Sequence, residues 1–504
     1  MAHEDESSPL VGGHCYGRLK PSQPGQKNIK RVSSIAKELG LGSQKGKASV
    51  VNVGINLAKT AAGTGILALP YACKQGGLLL FVSGMFFVVV WNVSCMKQLC
   101  DALEYLVRLA ETPLDFNDIS SVEDGRKNSL LDIIFRHCKH DRFSIKFRDQ
   151  PPEGTSSFSK LGWYALGNLG LWSIDIMMLV LLSFINIAFE VAILQFAEAT
   201  PFTTGEKMLD GLILGLVLVP FCIVDDLSAL SKLSRMGLII LGLTMSVVAW
   251  YGLNEQKAME YNAASTFERG ERDTGINNHN DSKFNLYPLN GIEGVSKWFG
   301  CTVFSFGIVP LTFNFRESMA DPEKLPQTAM ISMSLVGVCY IVIGVSFLYL
   351  FPNIENDLLA EIPSTGLLAT TTRIAMILVV MASTPLLIVP CAEIIEGKIY
   401  RSKSGDTKRS KTLMIIIRSS ILFFTVSIAS KLPGFISVLS FVGCFAVSMV
   451  SFVLPPGLHW LLLGQGLHDG SGDNDYTLWS RTSDITMLMV GLATTIITTW
   501  FTGS

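Results

Sequence analysis

The sequence AAGTGILALP, residues 61–70, interrupts the first long apolar segment of the chain, which covers about residues 50–73. Gly63 and Gly65 cost backbone entropy in a helix, and the proline that ends the stretch lacks an N–H donor. Lipid cannot replace the hydrogen bonds that such residues lose, so a broken helix at membrane depth is tolerated only where protein or a watery cavity surrounds it. The stretch is therefore a candidate binding site within a membrane-spanning segment.

The composition is that of a polytopic membrane protein. Of the 504 residues, 49% are hydrophobic and only 16% are charged, whereas soluble proteins carry roughly 25% charged residues. The formal net charge of −2 gives no reason to expect a nucleic-acid partner. The 10 cysteines are scattered without metal-ligand spacing, which indicates small buried apolar residues. We expect no cleavable signal peptide, because the first apolar run is too long for one.

The apolar runs predict eleven membrane-spanning helices, at roughly 20 residues per crossing. Residues 1–48 are predicted to form a disordered cytoplasmic tail, because they are polar and rich in Gly, Pro, Ser and Lys. The transmembrane domain is then residues 49–503. Its predicted spans are approximately 50–73, 77–100, 169–197, 209–224, 236–253, 296–315, 329–351, 367–392, 412–430, 434–455 and 484–502.

Lysine and arginine side chains are concentrated in the N-terminal tail and in the loops after spans 4, 6 and 8. The positive-inside rule places these segments, and therefore the N-terminus, in the cytoplasm. The long loop 108–162 is then cytoplasmic, and its residues 129–147 are typical of a helix that lies on the membrane surface or packs on the inner face of the protein. The loop 254–295 is extracellular or luminal, and Asn280 in it is a candidate glycosylation site.

Span 6 contains a second interruption, in the sequence FSFGIVPLT at residues 304–312. Span 1 opens one block of five helices and span 6 opens the next. Because five helices precede span 6, the second block enters the membrane with the opposite orientation. Interrupted helices at matching positions of two halves indicate an inverted-repeat transporter and its site. Two unrelated proline kinks are the alternative, since proline is common in membrane helices.

The unwound backbone in these two spans offers groups that suit a zwitterion. Freed N–H groups at the start of a half-helix carry positive partial charge and bind a carboxylate, while freed carbonyl groups bind an ammonium group. We expect the Gly63–Gly65 backbone to bind the carboxylate of an amino acid and the carbonyls of 305–307 to bind its amino group. The candidate substrate-binding residues are Ala62, Gly63, Thr64, Gly65, Ile66, Phe304, Ser305, Phe306 and Gly307.

Several motifs resemble those of the amino-acid/auxin permease family. The sequence NLAKTAAGTGILALPYA at residues 56–72, followed by Gly76-Gly77, is similar to the first-helix signature of that family. The resemblance covers about residues 48–503. It implies an all-α polytopic fold, with eleven transmembrane helices in a LeuT-type 5+5 inverted repeat plus one extra helix, and secondary amino-acid transport. Looser matches to the sixth, eighth and tenth helices of the family are residues 304–322, 384–396 and 432–443.

Lys59 stands where many sodium-coupled members of that family have asparagine. A charge in a membrane helix is expensive and by default functional. Asn52, Asn56, Lys59 and Gly63 share one helix face, so the Lys59 ammonium group can stand where a sodium ion would sit. The alternative is that Lys59 extends to the cytoplasmic surface.

Glu190 lies in an otherwise apolar stretch of span 3, on one face with Asn186. It is a candidate proton carrier, since burial disfavours the charged form of a carboxyl group, or a hydrogen-bonded structural acid. We also consider a pairing of Glu190 with Lys59. In LeuT-type sodium transporters a cation site joins the first helix to hydroxyls of the eighth, so sodium coupling stays an alternative. The candidate ion-coupling residues are Asn56, Lys59, Glu190, Ser383 and Thr384.

The leading hypothesis is a secondary active transporter of neutral amino acids that works by alternating access and is coupled to protons. A sodium-coupled transporter and an amino-acid sensor are the alternatives. We expect no enzyme, because the spans contain no Ser/His/Asp set, His/Glu metal pair or phosphate loop. The expected partners are the amino-acid substrate, membrane lipid and a coupling ion, H⁺ or Na⁺, with no cofactor. Residues 6–11 resemble an acidic-dileucine sorting signal, although Val11 stands at the last position, and chance occurrence in a disordered tail is the alternative. The expected location is a vacuolar or lysosomal membrane or the plasma membrane.

Overall fold

The computed structural model describes residues 46–111, 151–152, 155–223, 227–268, 285–402, 411–463 and 478–503, and these are almost entirely helical. The α-helices are α1 (Val50–Ala61), α2 (Leu69–Glu111), α3 (Ser157–Leu166), α4 (Asn168–Glu198), α5 (Lys207–Ile223), α6 (Leu227–Glu268), α7 (Ile292–Ser305), α8 (Thr312–Ser318), α9 (Leu325–Leu350), α10 (Leu367–Ser383), α11 (Pro385–Ser402), α12 (Lys411–Ala429), α13 (Phe435–Val442), α14 (Leu454–Leu463) and α15 (Leu478–Gly503). The 3-10 turns Thr64–Ala68, Val309–Leu311 and Pro322–Lys324 and the π-helical segments Gly443–Val447 and Met449–Val453 lie between them.

Nine helical stretches in the described part of the chain are long and apolar enough to cross a membrane, which is consistent with a polytopic membrane protein. The first of them, Thr64–Val107, is 44 residues long and runs through predicted spans 1 and 2. Helix α5, at predicted span 4, has 17 residues, fewer than the roughly 20 that a crossing takes. The number eleven therefore stays a prediction.

The turn between predicted spans 1 and 2 lies within α2 at Gly77, which has φ 70° and ψ 158°. This left-handed conformation favours glycine. A side chain at Gly77 would also meet the backbone of Tyr287, 2.5 Å from its Cβ. The next residue, Leu78, donates its N–H to Asn285 O at 2.9 Å. The segment before α7 therefore covers Gly77 and fixes the position of the kink in α2.

The helices form two groups. In the first, α2 packs along α7 and α9, and α1 packs along α9. In the second, α4 contacts α10, α11 and α12, and α12 lies along α5. Helix α13 and the π-helical segments contact both α7 and α4. Both interrupted helices therefore belong to the first group, and the second group flanks them through α13.

One end of the bundle, called here the Ala48 face, is held together by contacts around the start of α1. The Ala48 N–H donates to Ser318 O at 3.1 Å, and Ala48 O accepts from the Ala320 N–H at 3.0 Å. Lys398 in α11 pairs with Asp175 in α4 at 3.2 Å. The Ala48 bridge joins the start of the first interrupted helix to the end of the second.

The opposite end, called here the Asp357 face, carries the loop 351–366 between α9 and α10. Lys74 Nζ donates to Ile354 O at 2.9 Å, and the Leu358 N–H donates to Leu67 O at 3.3 Å. Arg373, near the start of α10, donates to the carbonyl oxygens of residues 359, 362 and 363 at 2.8–3.0 Å. The loop is therefore fixed to the second half of the first interrupted helix and to α10.

Several predicted loop features lie outside the described residues: most of the N-terminal tail, the amphipathic stretch 129–147 and the sequon residue Asn280. The predicted loop 108–162 overlaps α3. Ser156 Oγ caps that helix by accepting the Ser159 N–H at 3.1 Å, and its apolar residues are buried against α4. The predicted loop 254–295 is partly helical, because α6 continues to Glu268.

Candidate functional site

The first interruption begins where α1 ends at Ala61. Ala62 has φ −70° and ψ 67°, and Gly63 is extended, with φ −108° and ψ −159°. The chain resumes as a 3-10 turn at Thr64, and the Gly63 N–H folds back onto Ala61 O at 2.7 Å. The amides of Thr64 and Gly65 donate to no acceptor among the residues that the structure describes. The predicted break is confirmed, and it leaves N–H groups free at the start of the second half-helix.

The second interruption begins where α7 ends at Ser305. Phe306 has φ −105° and ψ 18°, and the helix restarts in the 3-10 turn that contains Pro310. Phe306 donates its N–H to Thr302 O and Val303 O, each at 3.2 Å, which closes the last turn of α7. The predicted break in span 6 is thus also confirmed.

The two interruptions touch each other. A methyl group on Gly65 would lie 2.5 Å from Ser305 Oγ and 3.1 Å from Ser305 Cα. Only a residue without a side chain therefore allows this approach. The Ser305 hydroxyl is directed along its own helix, because it donates to Cys301 O at 2.8 Å. The close contact brings two parts of the predicted site together that are 240 residues apart in sequence.

Tyr340 in α9 connects the two helix ends. Its hydroxyl donates to Ala61 O at 2.6 Å and lies 3.3 Å from Ser305 O. The ring is 1% exposed and packs on Phe306, with ring centroids 5.1 Å apart. Sequence reasoning did not select Tyr340. The available signal was a phenol in an apolar span, because a buried tyrosine hydroxyl needs a hydrogen-bond partner.

The nine predicted substrate-binding residues divide into a buried set and a half-buried set. Ala62, Gly63, Phe304 and Gly307 are half-buried, and the other five are buried. A methyl group on Gly63 would meet nothing closer than Ala61 O at 3.9 Å. Gly63 therefore borders open space, whereas Gly65 and Ser305, which are buried, form the contact between the breaks.

A π-helical segment lies beside the second break. Its residue Val447 would be 3.3 Å from a methyl group on Gly307. Phe441 and Phe445 pack on Phe184 of α4, with ring centroids 6.1 and 6.0 Å away. Such π-helical insertions are frequent at functional sites, and single-sequence periodicity does not reveal them.

Glu190 is fully buried between α4 and α12. Its Oε1 accepts hydrogen bonds from Asn186 Nδ2 at 2.8 Å and from Thr425 Oγ1 at 2.9 Å. Its Oε2 has no hydrogen-bond partner in the described part of the chain. Lys59 lies on α1, which belongs to the other helix group, and the pairing of Glu190 with Lys59 stays a prediction.

Lys59 and Asn56 lie on the α1 face that leads from the Ala48 face to the first break. Asn52 and Asn56 are exposed, whereas Lys59 and Gly63 are half-buried. The face thus becomes more enclosed as it approaches the break. Both interpretations of Lys59, replacement of an ion and extension to the cytoplasmic surface, stay predictions.

Ser383 and Thr384 lie where α10 gives way to α11. Their hydroxyls donate to carbonyl oxygens of their own helix, at Val379 and Val380, over 3.0 and 3.2 Å. Helix α1 packs mainly on α9. Both hydroxyls therefore bond within their own helix, and the cation site that would join them to α1 stays a prediction. Within the described ranges, no group of three or more His, Cys, Asp or Glu side chains is placed to hold a metal ion.

Comparison with known proteins identifies the family of this chain. Residues 46–504 match the family model described as transmembrane amino acid transporter protein. The chain belongs to this family. It is an integral, multi-pass membrane protein, and the resemblance of its motifs to the amino-acid/auxin permeases is confirmed.

Individual relatives are distant but cover most of this chain. Vacuolar amino acid transporter 4 of Saccharomyces cerevisiae is 23% identical over 91% of this chain and 59% of its own length. Amino acid transporter ANT1 of Arabidopsis thaliana is 22% identical over 89% of this chain and 90% of its own length. Vacuolar amino acid transporter 3 of Schizosaccharomyces pombe is 23% identical over 99% of this chain and 61% of its own length. The chain thus spans about three-fifths of the two yeast relatives.

This family member also has a cavity of about 680 Å³ at the Asp357 face. It lies between the C-terminal end of α4, the loop 351–366 and the start of α13, and none of the nine predicted substrate-binding residues lines it. Polar groups on its wall include Gln195, Asp357 and Arg373. Gln195 Nε2 donates to Asp357 Oδ2 at 2.5 Å, and Gln195 Oε1 accepts the Phe435 N–H at 2.6 Å. The cavity is therefore an opening on that face, separate from the contact between the breaks.

Proposed function

We propose that this protein is a secondary active transporter that carries neutral amino acids across a membrane by alternating access. The observation that carries the proposal is the contact between the two interrupted helices, at Gly65 and Ser305, in a chain of the transmembrane amino acid transporter family. The names of its relatives support amino acids as the class of substrate.

The backbone supplies groups for both ends of an amino acid. The free amides of Thr64 and Gly65 lie at the positive end of a half-helix and bind the carboxylate. The ammonium group is bound by carbonyl oxygens at the end of α7, around Ser305. The neighbouring side chains Ile66, Phe304 and Phe306 are apolar and uncharged. This composition favours substrates whose side chain is neutral, because a second charge would lack a partner there.

The proposed architecture has eleven spans in a five-plus-five inverted repeat plus one helix. The two helix groups suit rocking of one group against the other, because α2 packs along both α7 and α9 and α1 packs along α9. The Ala48 bridge joins both interrupted helices at one end, so that they move as one unit. The partly exposed face of α1, from Asn52 to Gly63, is the proposed path from the cytoplasm.

Proton coupling through Glu190 is our proposal for the driving ion. Glu190 lies within a membrane helix, has an oxygen without a partner in the described residues, and is accompanied only by the neutral groups of Asn186 and Thr425. A carboxyl group in such surroundings changes its charge at a large energetic cost. A structural change that admits water or substrate therefore changes its proton affinity.

We place the protein in the vacuolar membrane with its N-terminus in the cytoplasm. Two of the relatives named above are called vacuolar transporters. The positive charge of the N-terminal tail and of the loop 403–411 supports the orientation.

The test of the proposed function is an uptake assay with the purified full chain in liposomes. A panel of radiolabelled amino acids is offered while the pH gradient and sodium are varied independently. We expect uptake of small neutral amino acids that follows the pH gradient and does not need sodium. Saturable binding without uptake of any amino acid would instead indicate a sensor.

A further inference from the structure

Two negative helix ends meet at the junction between the interruptions. Helix α1 ends at Ala61 and α7 ends at Ser305, so each presents carbonyl oxygens that accept no N–H from a further helical turn, and the negative end of its dipole. Both Ala61 O and Ser305 O lie within 3.3 Å of one point, the Tyr340 hydroxyl oxygen. Like ends at this distance repel each other, and the repulsion is strong in a medium of low dielectric. A positive or proton-donating group is therefore needed between them.

In transporters built on broken helices, the C-terminal ends of half-helices and unwound carbonyls commonly coordinate a sodium ion. Here the position between the two carbonyls is filled by a neutral side chain. Tyr340 is 1% exposed, so its hydroxyl cannot exchange its protein acceptors for bulk water. Its ring is fixed against Phe306, and α9 packs closely one turn earlier, where a methyl group on Gly337 would lie 3.2 Å from Val89 and 3.8 Å from Phe306.

We propose that the Tyr340 hydroxyl takes the place of a monovalent cation at the junction of the two interrupted helices. It holds the ends of α1 and α7 together with one shared donor, so this junction needs no sodium ion. Tyr340 is a positioning residue, since it acts through the backbone of both breaks. The proposal rests on the proposed transport function. It adds that a side chain of α9 supplies the group that makes the junction independent of a cation.

The shared donor also explains an asymmetry between the two carbonyls. A hydroxyl group has one proton, so the two carbonyls share it as a bifurcated hydrogen bond, and the distances of 2.6 Å and 3.3 Å make Ala61 O the stronger acceptor and Ser305 O the weaker one. Ala61 O additionally accepts the Gly63 N–H at 2.7 Å, so both of its lone pairs are used. Ser305 O keeps acceptor capacity, and it is the carbonyl to which an ammonium group of the substrate would bind.

The test compares four forms of the full-length protein in liposomes: wild type, Tyr340→Phe, Tyr340→Asn and Tyr349→Phe. Each is assayed for alanine uptake at one fixed pH gradient, in sodium chloride or in choline chloride. Tyr349 is the matched control, because it is a tyrosine of the same helix whose side chain is 44% exposed. Thermal unfolding of each purified form is measured in the same two salts.

We expect wild type and Tyr349→Phe to take up alanine equally well in both salts. Tyr340→Phe loses the shared donor and should lose about tenfold in uptake in either salt, since a buried acceptor is left without its partner. Tyr340→Asn vacates the position and supplies a carbonyl oxygen. Sodium should therefore raise both its uptake and its unfolding temperature relative to choline. A merely structural tyrosine would not produce this sodium response.

Three results would overturn the proposal: sodium-dependent uptake by wild type, full uptake by Tyr340→Phe, or a folded Tyr340→Asn that ignores sodium in both assays. If Tyr340→Asn does not reach the membrane, wild type and Tyr340→Phe decide the question. Absence of amino-acid uptake by wild type would contradict the proposed function instead. The sodium response of unfolding in Tyr340→Asn would still test the junction in that case.

Discussion

At the residue scale, the site depends on small differences between neighbouring positions. Gly63 and Gly65 look equivalent in the sequence, yet only Gly65 is pressed against the other interruption, at Ser305. Gly63 borders open space. Gly65 is therefore required for the junction to form, whereas Gly63 is placed to leave room for a ligand.

The first prediction separates these roles. Gly65→Ala puts a methyl group 2.5 Å from Ser305 Oγ, so the breaks must separate and uptake should fall roughly tenfold or more. The double variant Gly65→Ala/Ser305→Gly lacks the serine side chain and should recover part of the lost uptake. Gly63→Ala should leave the unfolding temperature unchanged and raise the KM for alanine. Normal uptake by Gly65→Ala would show that the two breaks need not touch.

A second prediction concerns the buried carboxyl group of Glu190. In Glu190→Gln the amide oxygen can still accept from Asn186 and Thr425, so the fold should persist. We expect proton-driven accumulation of alanine to disappear, while exchange of alanine across the liposome membrane continues. The exposed Glu323, changed to Gln, is the control and should behave as wild type. Accumulation by Glu190→Gln would assign the proton to another group.

The sequence predicted the two breaks because Gly and Pro weaken helices wherever they occur. It also predicted Glu190 as a special carboxyl group, because ionisable residues are rare in apolar runs. It did not indicate Tyr340, since the two carbonyls that this residue joins are 244 residues apart. It did not indicate Thr425 either, which lies 235 residues from Glu190 in sequence and donates a hydrogen bond to it. Side-chain partners across helices depend on packing, which periodicity in one sequence does not encode.

At the scale of elements, the loop 351–366 is the main connection between the helix groups on the Asp357 face. Asp357 accepts from Gln195 of α4 at 2.5 Å and from the Leu359 N–H at 2.8 Å. Gln195 in turn accepts the Phe435 N–H at the start of α13. The loop therefore links α4, α10, α13 and the 3-10 turn Thr64–Ala68, and it must be released when this face opens.

Burial raises the pKa of Asp357 to about 6, despite its hydrogen bonds to backbone amides. The charged groups near it are Glu361 on the same loop, which raises the pKa further, and Arg373 on α10. In an unfolded chain an aspartate has a pKa of about 4. The folded state thus binds the proton more tightly. The contribution of this group to stability is full below about pH 4 and is lost as the pH rises through about 6.

The third prediction follows from the upward shift of the Asp357 pKa on folding. As the pH is raised from 4 to 7, the unfolding temperature of wild type should fall relative to that of Asp357→Asn. The reason is that only wild type loses the bound proton. Asp321→Asn, an exposed position near the Ala48 face, should track wild type throughout. A constant difference between wild type and Asp357→Asn across this range would contradict the assignment.

Element boundaries show where sequence reasoning failed and why. Helix α3 was predicted as loop, because its ten residues are too few to signal a membrane span, and its Ser156 cap is a weak local feature. The π-helical segments at 443–453 retain helical periodicity closely enough to look like an ordinary span. The Ala48–Met319 bridge joins two segments through backbone atoms only. No pattern of side chains in the sequence therefore predicts it.

At the scale of the whole molecule, the contacts describe two bodies that meet around the breaks. The Ala48 bridge and the Tyr340 hydroxyl both lie within the first helix group, and each holds the two interrupted helices together. The hydrogen bonds of the loop 351–366 connect that group to the second group through α4 and α10. In the proposed alternating-access cycle, the hydrogen bonds of the loop 351–366 would break, whereas the Ala48 bridge and the Tyr340 hydrogen bonds would persist.

The central claim is that the junction of the two breaks carries amino acids, and uptake of radiolabelled alanine into liposomes tests it most directly. Wild type and Gly65→Ala are reconstituted at equal density, with an inward proton gradient and no sodium. We predict saturable uptake by wild type that collapses when the gradient is dissipated, and little or none by Gly65→Ala. Equal uptake by the two proteins, or binding of alanine without uptake by wild type, would contradict the claim.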